Sequence, residues 1–376
     1  MRFLKLLSLS LLVIFSFGCR AQKGKSPILG FNQVRTNVIV IVTDDQGYGD
    51  ISAHGNPDIR TPGLDALHAE SVRLTNFHVD PTCSPTRAAL QTGRYSSRVG
   101  VWLTYGGRNH LKKDEVTLGA AFKESGYKTA TFGKWHLGDN YPFRPQDRGY
   151  DESLIHGGGV VGETPDYWNN DYYDDTYFRN GVPEKVKGYC TDVWFREAGD
   201  WIEENKDESF FVYLATNAPH GPSHVPIEYV QPYLDAGIPK SRAVFYGMIQ
   251  VIDENIAALR ARLEELEITE NTMIVFLTDN GTTRGYEAGE DPEYPKSGYN
   301  AGMRGKKTSA YDGGHRAAGF IHWPKGNLVH GTDVPQLTAH IDLMPTLVEL
   351  CNLDLPKKVR FDGTDLSPLL RGKPNS

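Results

Sequence analysis

Two rhythms of apolar and polar positions share the 376 residues of this chain. "NVIVIVT" at residues 37–43 is a continuous β-branched run, and "KTATFG", "SFFVYLA", "TMIVFLT" and "AAGFIHW" are shorter strand candidates of similar character. The second rhythm is helical. It runs through "GLDALHAESVR", "TLGAAFKESG", "VWFREAGDWIEEN" and the long "MIQVIDENIAALRARLEELE", where Met248, Val251, Ile252, Ile256, Leu259, Leu263 and Leu266 keep to one face. Strands apolar on both sides and separated by helices predict an α/β fold, a mostly parallel central sheet flanked by helices. There is no solenoid repeat and no low-complexity segment.

The residues just past the end of each strand carry the chemistry. Asp44-Asp45 come after the first, Lys134 and His136 after the second ("GKWHLG"), His220 after the third ("TNAPHGP"), and Asp279-Asn280 after the fourth. Ligands of open α/β sheets bind at the carboxyl ends of strands, so four strands deliver polar groups to one edge. Taken singly, each is a turn or cap signal. Independent turns have no reason to collect acids after two strands and His or Lys after two others.

Composition narrows the partners. Asp plus Glu number 47 against 40 Lys plus Arg, net −7, which argues against general electrostatic binding to nucleic acid. The first residues, "MRFLKLLSLSLLVIFSFGCRAQ", place Arg2 and Lys5 ahead of an apolar run too short to span a membrane, the pattern of an export signal over residues 1–21. Cys19 fits the lipidated cysteine of a bacterial lipoprotein, and cleavage after Ala21 is the competing reading. The mature chain is thus expected outside the cytoplasm, in the periplasm or as an outer-membrane lipoprotein. Cys190 and Cys351 could pair in an oxidising compartment or stay as inert buried thiols.

Asp44, Asp45, Asp279 and Asn280 offer only oxygen ligands, which suit calcium or magnesium rather than zinc. Arg87, Lys134, His136, His220 and Lys307 supply donors beside them. Cation and donors together make a pocket for a tetrahedral anion, and phosphate and sulfate esters both fit. Cys83, in "PTCSPTRAALQTGR", is the puzzle. With Pro85 in the first turn, Cys83 opens a helix whose backbone N–H groups favour an anion, yet a thiolate is a soft nucleophile beside a hard metal. The position asks for an oxygen.

These residues resemble the type I sulfatases of the alkaline phosphatase superfamily, in which Cys-x-Pro-x-Arg directs oxidation of the cysteine to formylglycine, an aldehyde that hydrates to a gem-diol. The resemblance runs from "NVIVIVTDDQGYGD" to "FDGTDLSPLLRGK" and takes in "GYKTATFGKWHLG", "APHGP", "TDNG" and "RGKKTSAYDGGHR". It implies a catalytic domain over residues 36–370 and one calcium ion on Asp44, Asp45, Asp279, Asn280 and modified Cys83. It further implies that Arg87 and His136 hold the hydrate, Lys134 and Lys307 bind sulfate oxygens, and His220 protonates the departing alcohol. Lys307 rather than Lys306 is implied by its spacing to "YDGG". Gln91, where the family usually has an apolar residue, and Phe132, where smaller residues are commoner, depart from the pattern.

The implied reaction is hydrolysis of a sulfated glycan or aryl sulfate. The implied maturation partner is a formylglycine-generating or anaerobic sulfatase-maturing enzyme. A phospho- or phosphonate-monoester hydrolase and a non-catalytic glycan-binding lipoprotein are the alternatives. The segment Gly157–Gly181, "GGGVVGETPDYWNNDYYDDTYFRNG", is long for a connection and is expected to contribute to substrate choice. His54, His78, His110 and His156 are expected to be structural or exposed, and His340 with Asp342 to start a helix. No strand candidate occurs after Leu370 for the smaller C-terminal subdomain the family carries, so that subdomain is expected to be missing, through truncation or natural shortness.

Overall fold

The computed structural model describes residues 35–373; the export signal read over residues 1–21, with Cys19, lies outside them. Fourteen strands occur among the described residues: β1 Asn37–Thr43, β2 Val72–Leu74, β3 Phe77–His78, β4 Lys128–Lys134, β5 Glu152–His156, β6 Thr176–Arg179, β7 Val182–Lys185, β8 Phe210–Ala215, β9 Thr272–Thr278, β10 Tyr286–Ala288, β11 Pro295–Gly298, β12 Gly319–His322, β13 Asp333–Val334 and β14 Thr338–Ala339. Ten form one sheet in the order β13-β2-β12-β9-β1-β8-β4-β5-β6-β7. The helices are α1 Pro62–Glu70, α2 Cys83–Thr92, α3 Leu118–Glu124, α4 Cys190–Glu204, α5 Ile227–Asp235, α6 Lys240–Glu265, α7 Asp312–His315, α8 Leu343–Cys351 and α9 Ser367–Leu370.

The centre of the sheet is parallel, β9-β1-β8-β4-β5, and its side chains sort by the strand period of two. Val38, Val40 and Val42 pack with Leu90, Phe122, Met344 and Leu347 beneath α2, α3 and α8. Ile39 and Ile41 pack on the other side with Leu64, Trp194, Met248 and Ile252 from α1, α4 and α6. Every residue of β1 is buried, which explains its unbroken apolar run.

Two strand readings need refinement. "AAGFIHW" forms β12, which runs antiparallel to β9. Gly281 N–H donates to the Gly314 carbonyl at 2.9 Å, so the chain re-enters beside the end of β9 and has to run back along it. "GLDALHAESVR" is helical only to Glu70; Val72–Leu74 joins the sheet as β2.

The possible Cys190–Cys351 disulfide is not made. Cys190 opens α4 in the core on one side of the sheet and Cys351 ends α8 in the core on the other, and both are free buried thiols. Gln91 is fully buried but satisfied, exchanging hydrogen bonds with the Tyr150 hydroxyl at 2.9 and 3.1 Å. His340–Asp342 is a 3₁₀ turn leading into α8, with Asp342 accepting the Ala339 N–H at 2.7 Å.

Candidate active site

The strands β9, β1, β8 and β4 are neighbours in the sheet, and their carboxyl ends carry the residues singled out in the sequence. Asp44 and Asp45 leave β1, and Asp279 and Asn280 leave β9. Lys134 is the last residue of β4, with His136 just beyond, and His220 sits in the loop after β8. Asp45 and His136 have φ of 71° and 58°, the left-handed region that non-glycine residues seldom occupy and that clusters at functional sites. Glycine is required between these turns. At Gly133, φ 100°, a Cβ would stand 1.9 Å from the Ala215 carbonyl oxygen, and at Gly281 a Cβ would meet the Gly313 carbonyl at 1.8 Å. The sheet and the loops past its carboxyl edge close on one another only without those carbons.

Cys83 is the first residue of α2, a helix buried along its whole length. Lys307 Nζ donates to Cys83 Sγ at 3.3 Å and also to Asp45 Oδ1. Lys134 Nζ donates to Asp44 Oδ2, and Arg87 reaches Asp279 Oδ2 through Nε and Nη2 while Nη1 donates to the Lys134 carbonyl at 3.0 Å. Asn280 Nδ2 donates to Asp45 Oδ1 at 3.0 Å, and the Asp45 N–H to Asp279 Oδ1 at 3.1 Å. His220 Nδ1 faces the Gly221 carbonyl at 2.9 Å and its Nε2 stands 3.6 Å from Asp45 Oδ2. The structure therefore brings together all ten positions: Asp44, Asp45, Cys83, Arg87, Lys134, His136, His220, Asp279, Asn280 and Lys307.

Burial and charge set the protonation states. Burial would raise the Asp44 carboxyl, but Lys134, His220 and Arg87 hold it well below the usual range. Burial and the Asp44 charge push Asp279 up to about 7 despite Arg87. Burial pushes the Cys83 thiol up to about 12, against the pull of Lys134. Burial and the Lys134 charge hold His136 neutral, far below the ordinary histidine value.

The residues fit a hard cation. Asp44 Oδ1 and Asn280 Oδ1 are buried without a partner, the state expected of oxygens awaiting a ligand. Ligand atoms of Asp44, Cys83 and Asp279 lie within 4.8 Å of one another, as do those of Asp45, Cys83 and His220. Three carboxylates and an amide oxygen are a calcium-type donor set.

A cavity of about 690 Å³ opens over Cys83, His136, His220 and Lys307. Gly157–Val160, Glu163–Pro165, Phe178 and Gly181 line it, so the Gly157–Gly181 segment does shape the pocket. Its tyrosines and Trp168 do not line the cavity. Tyr172 is buried and its hydroxyl donates to the His220 carbonyl at 2.8 Å, bracing that loop from behind.

Two histidines set aside in the sequence belong to the cavity wall, His110 and His156. His156 ends β5 in register with Lys134, and both its ring nitrogens are buried without a partner. Burial lowers its pKa to about 4, so it stands there as neutral imidazole. Sequence reading missed this wall because β5, "ESLIH", has no long apolar run. It also missed the loop Thr104–His110, whose Thr104 carbonyl faces His136 Nε2 at 2.7 Å and whose Tyr105 is two-thirds exposed at the cavity. The pair of glycines after Tyr105 was its one signal.

The comparisons with known proteins place this α/β sheet, with acid, amide and basic side chains gathered at one carboxyl edge, in the alkaline phosphatase-like superfamily. Within it, a family model described as Sulfatase matches residues 36–353, and the chain belongs to that family. It is 28% identical over 361 residues to an arylsulfatase of Hemicentrotus pulcherrimus, covering 90% of this chain and 62% of the relative. It is 30% identical over 361 residues to the N-acetylgalactosamine-6-sulfatase of Homo sapiens, covering 90% of this chain and 66% of that enzyme. The chain thus spans a little under two thirds of the length of these two relatives. Among solved structures, that of Ps i-CgsB in complex with k-i-k-neocarrahexaose matches with a TM-score of 0.79 and 28% identity, over 90% of this chain and 77% of that one.

Proposed function

We propose that the chain hydrolyses sulfate esters of carbohydrates and releases inorganic sulfate, using formylglycine made from Cys83 and one calcium ion. The observation that carries this reading is the placement of Cys83. It opens α2 within 3.3 Å of Lys307 Nζ and within 4.8 Å of the Asp44, Asp45 and Asp279 carboxylates, yet burial keeps it a protonated thiol and so a poor nucleophile. Oxidation to an aldehyde hydrate would supply the hydroxyl nucleophile there, and calcium on Asp44, Asp45, Asp279, Asn280 and the modified residue would supply charge that polarises it.

The chain's own residues account for the rest. A carbonyl can only accept, so His136 donates Nε2–H to Thr104 and keeps a lone pair on Nδ1, which has no partner. That nitrogen is an acceptor for a hydroxyl hydrogen on oxidised Cys83. His220 by the same logic donates Nδ1–H to Gly221, so Nε2 is the atom that holds a proton for the departing alcohol, with Asp45 beside it stabilising the charged ring. Lys134 and Lys307 can turn from Asp44 and Asp45 toward sulfate oxygens once a cation satisfies those carboxylates.

One polar wall of the cavity suits a sugar: His110 and His156, the Gly157–Gly159 backbone and the exposed Tyr105. The neocarrahexaose bound by the Ps i-CgsB structure supports an oligosaccharide substrate here. Export directed by residues 1–21 to the periplasm, or to the outer membrane with Cys19 acylated, would carry the protein to such substrates after a maturing enzyme has oxidised Cys83.

The test is sulfate release, read by ion chromatography, from a panel of sulfated mono- and oligosaccharides and 4-nitrophenyl sulfate. Protein co-produced with a maturing enzyme should turn over at least one of them, and Cys83→Ala none. Peptide mass analysis should show the Cys83 sulfur replaced by an aldehyde oxygen. Full turnover by protein whose Cys83 is entirely free thiol would overturn the reading.

A further inference from the structure

Away from the cavity, two imidazoles face one another nitrogen to nitrogen. His78, which ends β3, and His315, which ends α7, place their Nδ1 atoms 2.9 Å apart, with ring centroids at 5.0 Å and planes tilted by 43°. One ring nitrogen of each histidine and a carboxylate oxygen of Asp312, one turn earlier on α7, lie within 4.8 Å of one another. Both histidines are half-buried and Asp312 is exposed, and no salt bridge engages Asp312 among the described residues.

The proton count at this pair is informative. His78 Nε2 sits 2.9 Å from Asn76 Oδ1, which accepts, so Nε2 carries the hydrogen and Nδ1 the lone pair. His315 can donate to that lone pair as its Nδ1–H tautomer. Moving that one hydrogen to its own Nε2 leaves two lone pairs converging on one point beside a carboxylate. Burial and the neighbouring imidazole lower the His78 pKa, against the pull of Asp312, and so favour the uncharged form a metal needs.

We propose that His78, His315 and Asp312 form a binding site for a divalent transition metal, with zinc the best match. Two imidazoles and one carboxylate are a zinc donor set, and ligands at 2.0–2.1 Å in a tetrahedron stand about 3.4 Å apart, so a shift of a few tenths of an ångström opens the 2.9 Å pair enough. Asn76 fixes the ring of His78 as an outer partner of a ligating histidine does. Water would complete the coordination on the exposed side of Asp312. This set, nitrogen-rich and short of carboxylates, would discriminate against the calcium that the oxygen-rich site selects.

The location gives the metal a purpose. His78 lies five residues before Cys83 and His315 eight after Lys307, and the two segments already touch through the Val79 N–H, which donates to the His315 carbonyl at 2.8 Å. A metal on these side chains would clip together the two arms that deliver Cys83 and Lys307 to the active site.

The full-length protein carrying Cys83→Ala, which removes the other thiol–carboxylate ligand set, would be freed of metal and titrated with Zn²⁺ by calorimetry in excess Ca²⁺. One Zn²⁺ per chain should bind with micromolar affinity or tighter and raise the unfolding midpoint. His315→Ala should abolish that event, while Asp312→Asn and Asn76→Ala, milder changes that guard against misfolding, should weaken it roughly tenfold to a hundredfold. Cobalt in place of zinc should give visible absorption bands that His78→Gln removes. Absence of zinc binding, or binding untouched in both His315→Ala and Asp312→Asn, would overturn the proposal.

Discussion

Arg87 donates Nε and Nη2 to a single oxygen of Asp279, at 3.2 and 2.9 Å, and neither side chain has any exposed surface. The other Asp279 oxygen accepts the Asp45 N–H, so one buried carboxylate ties α2 to the loops after β1 and β9. Lysine keeps the charge but cannot make this fork. Arg87→Lys should lower turnover at least about a hundredfold, and Arg87→Ala, which removes one member of the buried pair outright, should cost roughly 3–5 kcal/mol. Chemical denaturation of chelated protein should show a loss of that order, smaller with calcium present. A variant as stable and active as the parent would remove Arg87 from the site's architecture.

Calcium is expected to act on stability as well as on rate. Asp44, Asp45 and Asp279 converge against Lys134, Lys307, Arg87 and His220, and Asp44 Oδ1 and Asn280 Oδ1 accept no hydrogen bond. Chelation should abolish turnover and lower the unfolding midpoint, and added Ca²⁺ should restore both. At 100 times its Kd, a ligand of the folded state alone adds about 2.7 kcal/mol. Asp279→Ala should lose the calcium response of the midpoint. Elemental analysis finding no metal in fully active, chelated protein would sink this expectation.

His220 gives a sharper kinetic signature. Because Nδ1 is committed to the Gly221 carbonyl and Tyr172 holds the His220 carbonyl, only Nε2 is presented to a substrate. A proton donor matters for a sugar alcohol and hardly at all for a nitrophenolate, and such donors contribute typically about 10²–10⁴-fold. His220→Ala should therefore cut kcat on a sugar sulfate by that order and on 4-nitrophenyl sulfate by far less. Equal losses on both substrates would leave His220 a binding residue. Tyr172→Phe should produce a mild version of the same selective loss.

The legibility of each feature in the sequence depends on where its signal resides. The sheet centre was legible because β1, β8 and β9 are buried on both faces, which leaves a run of apolar residues along each, and β4 showed through its shorter buried stretch Thr129–Gly133. The ten site positions were legible because each lies within five residues of such a strand's end or inside two compact motifs. The direction of β12 was not, since nothing in "GFIH" encodes whether the chain enters from above or below; the Gly281–Gly314 contact decides that. The far wall of the cavity was hidden for a different reason. His110 and His156 acquire meaning only when β5 docks beside β4 and the Thr104–His110 loop closes on His136, both contacts between residues remote in sequence.

A buried acid outside the active site should impose a pH dependence of its own. Asp253, inside α6 and 1% exposed, accepts the Leu64 and Gly63 N–H groups at 2.6 and 3.0 Å, so its carboxylate serves the first turn of α1 from a neighbouring helix. Burial outweighs those two hydrogen bonds and pushes its pKa up to about 6. An acid raised in the folded state binds its proton more tightly there than in the unfolded chain. Its stabilisation is thus fully present below the unfolded value of about 4 and is lost as pH rises through about 6. Asparagine keeps one acceptor for α1 and has no charge to bury. Relative to the parent, Asp253→Asn should gain stability between about pH 4 and pH 6, and the difference should then level off. Denaturant unfolding of both proteins across that range reads the effect directly. Parallel stability curves would mean that the Asp253 carboxyl titrates alike in the folded and unfolded chain, and that its two N–H contacts fully offset its burial.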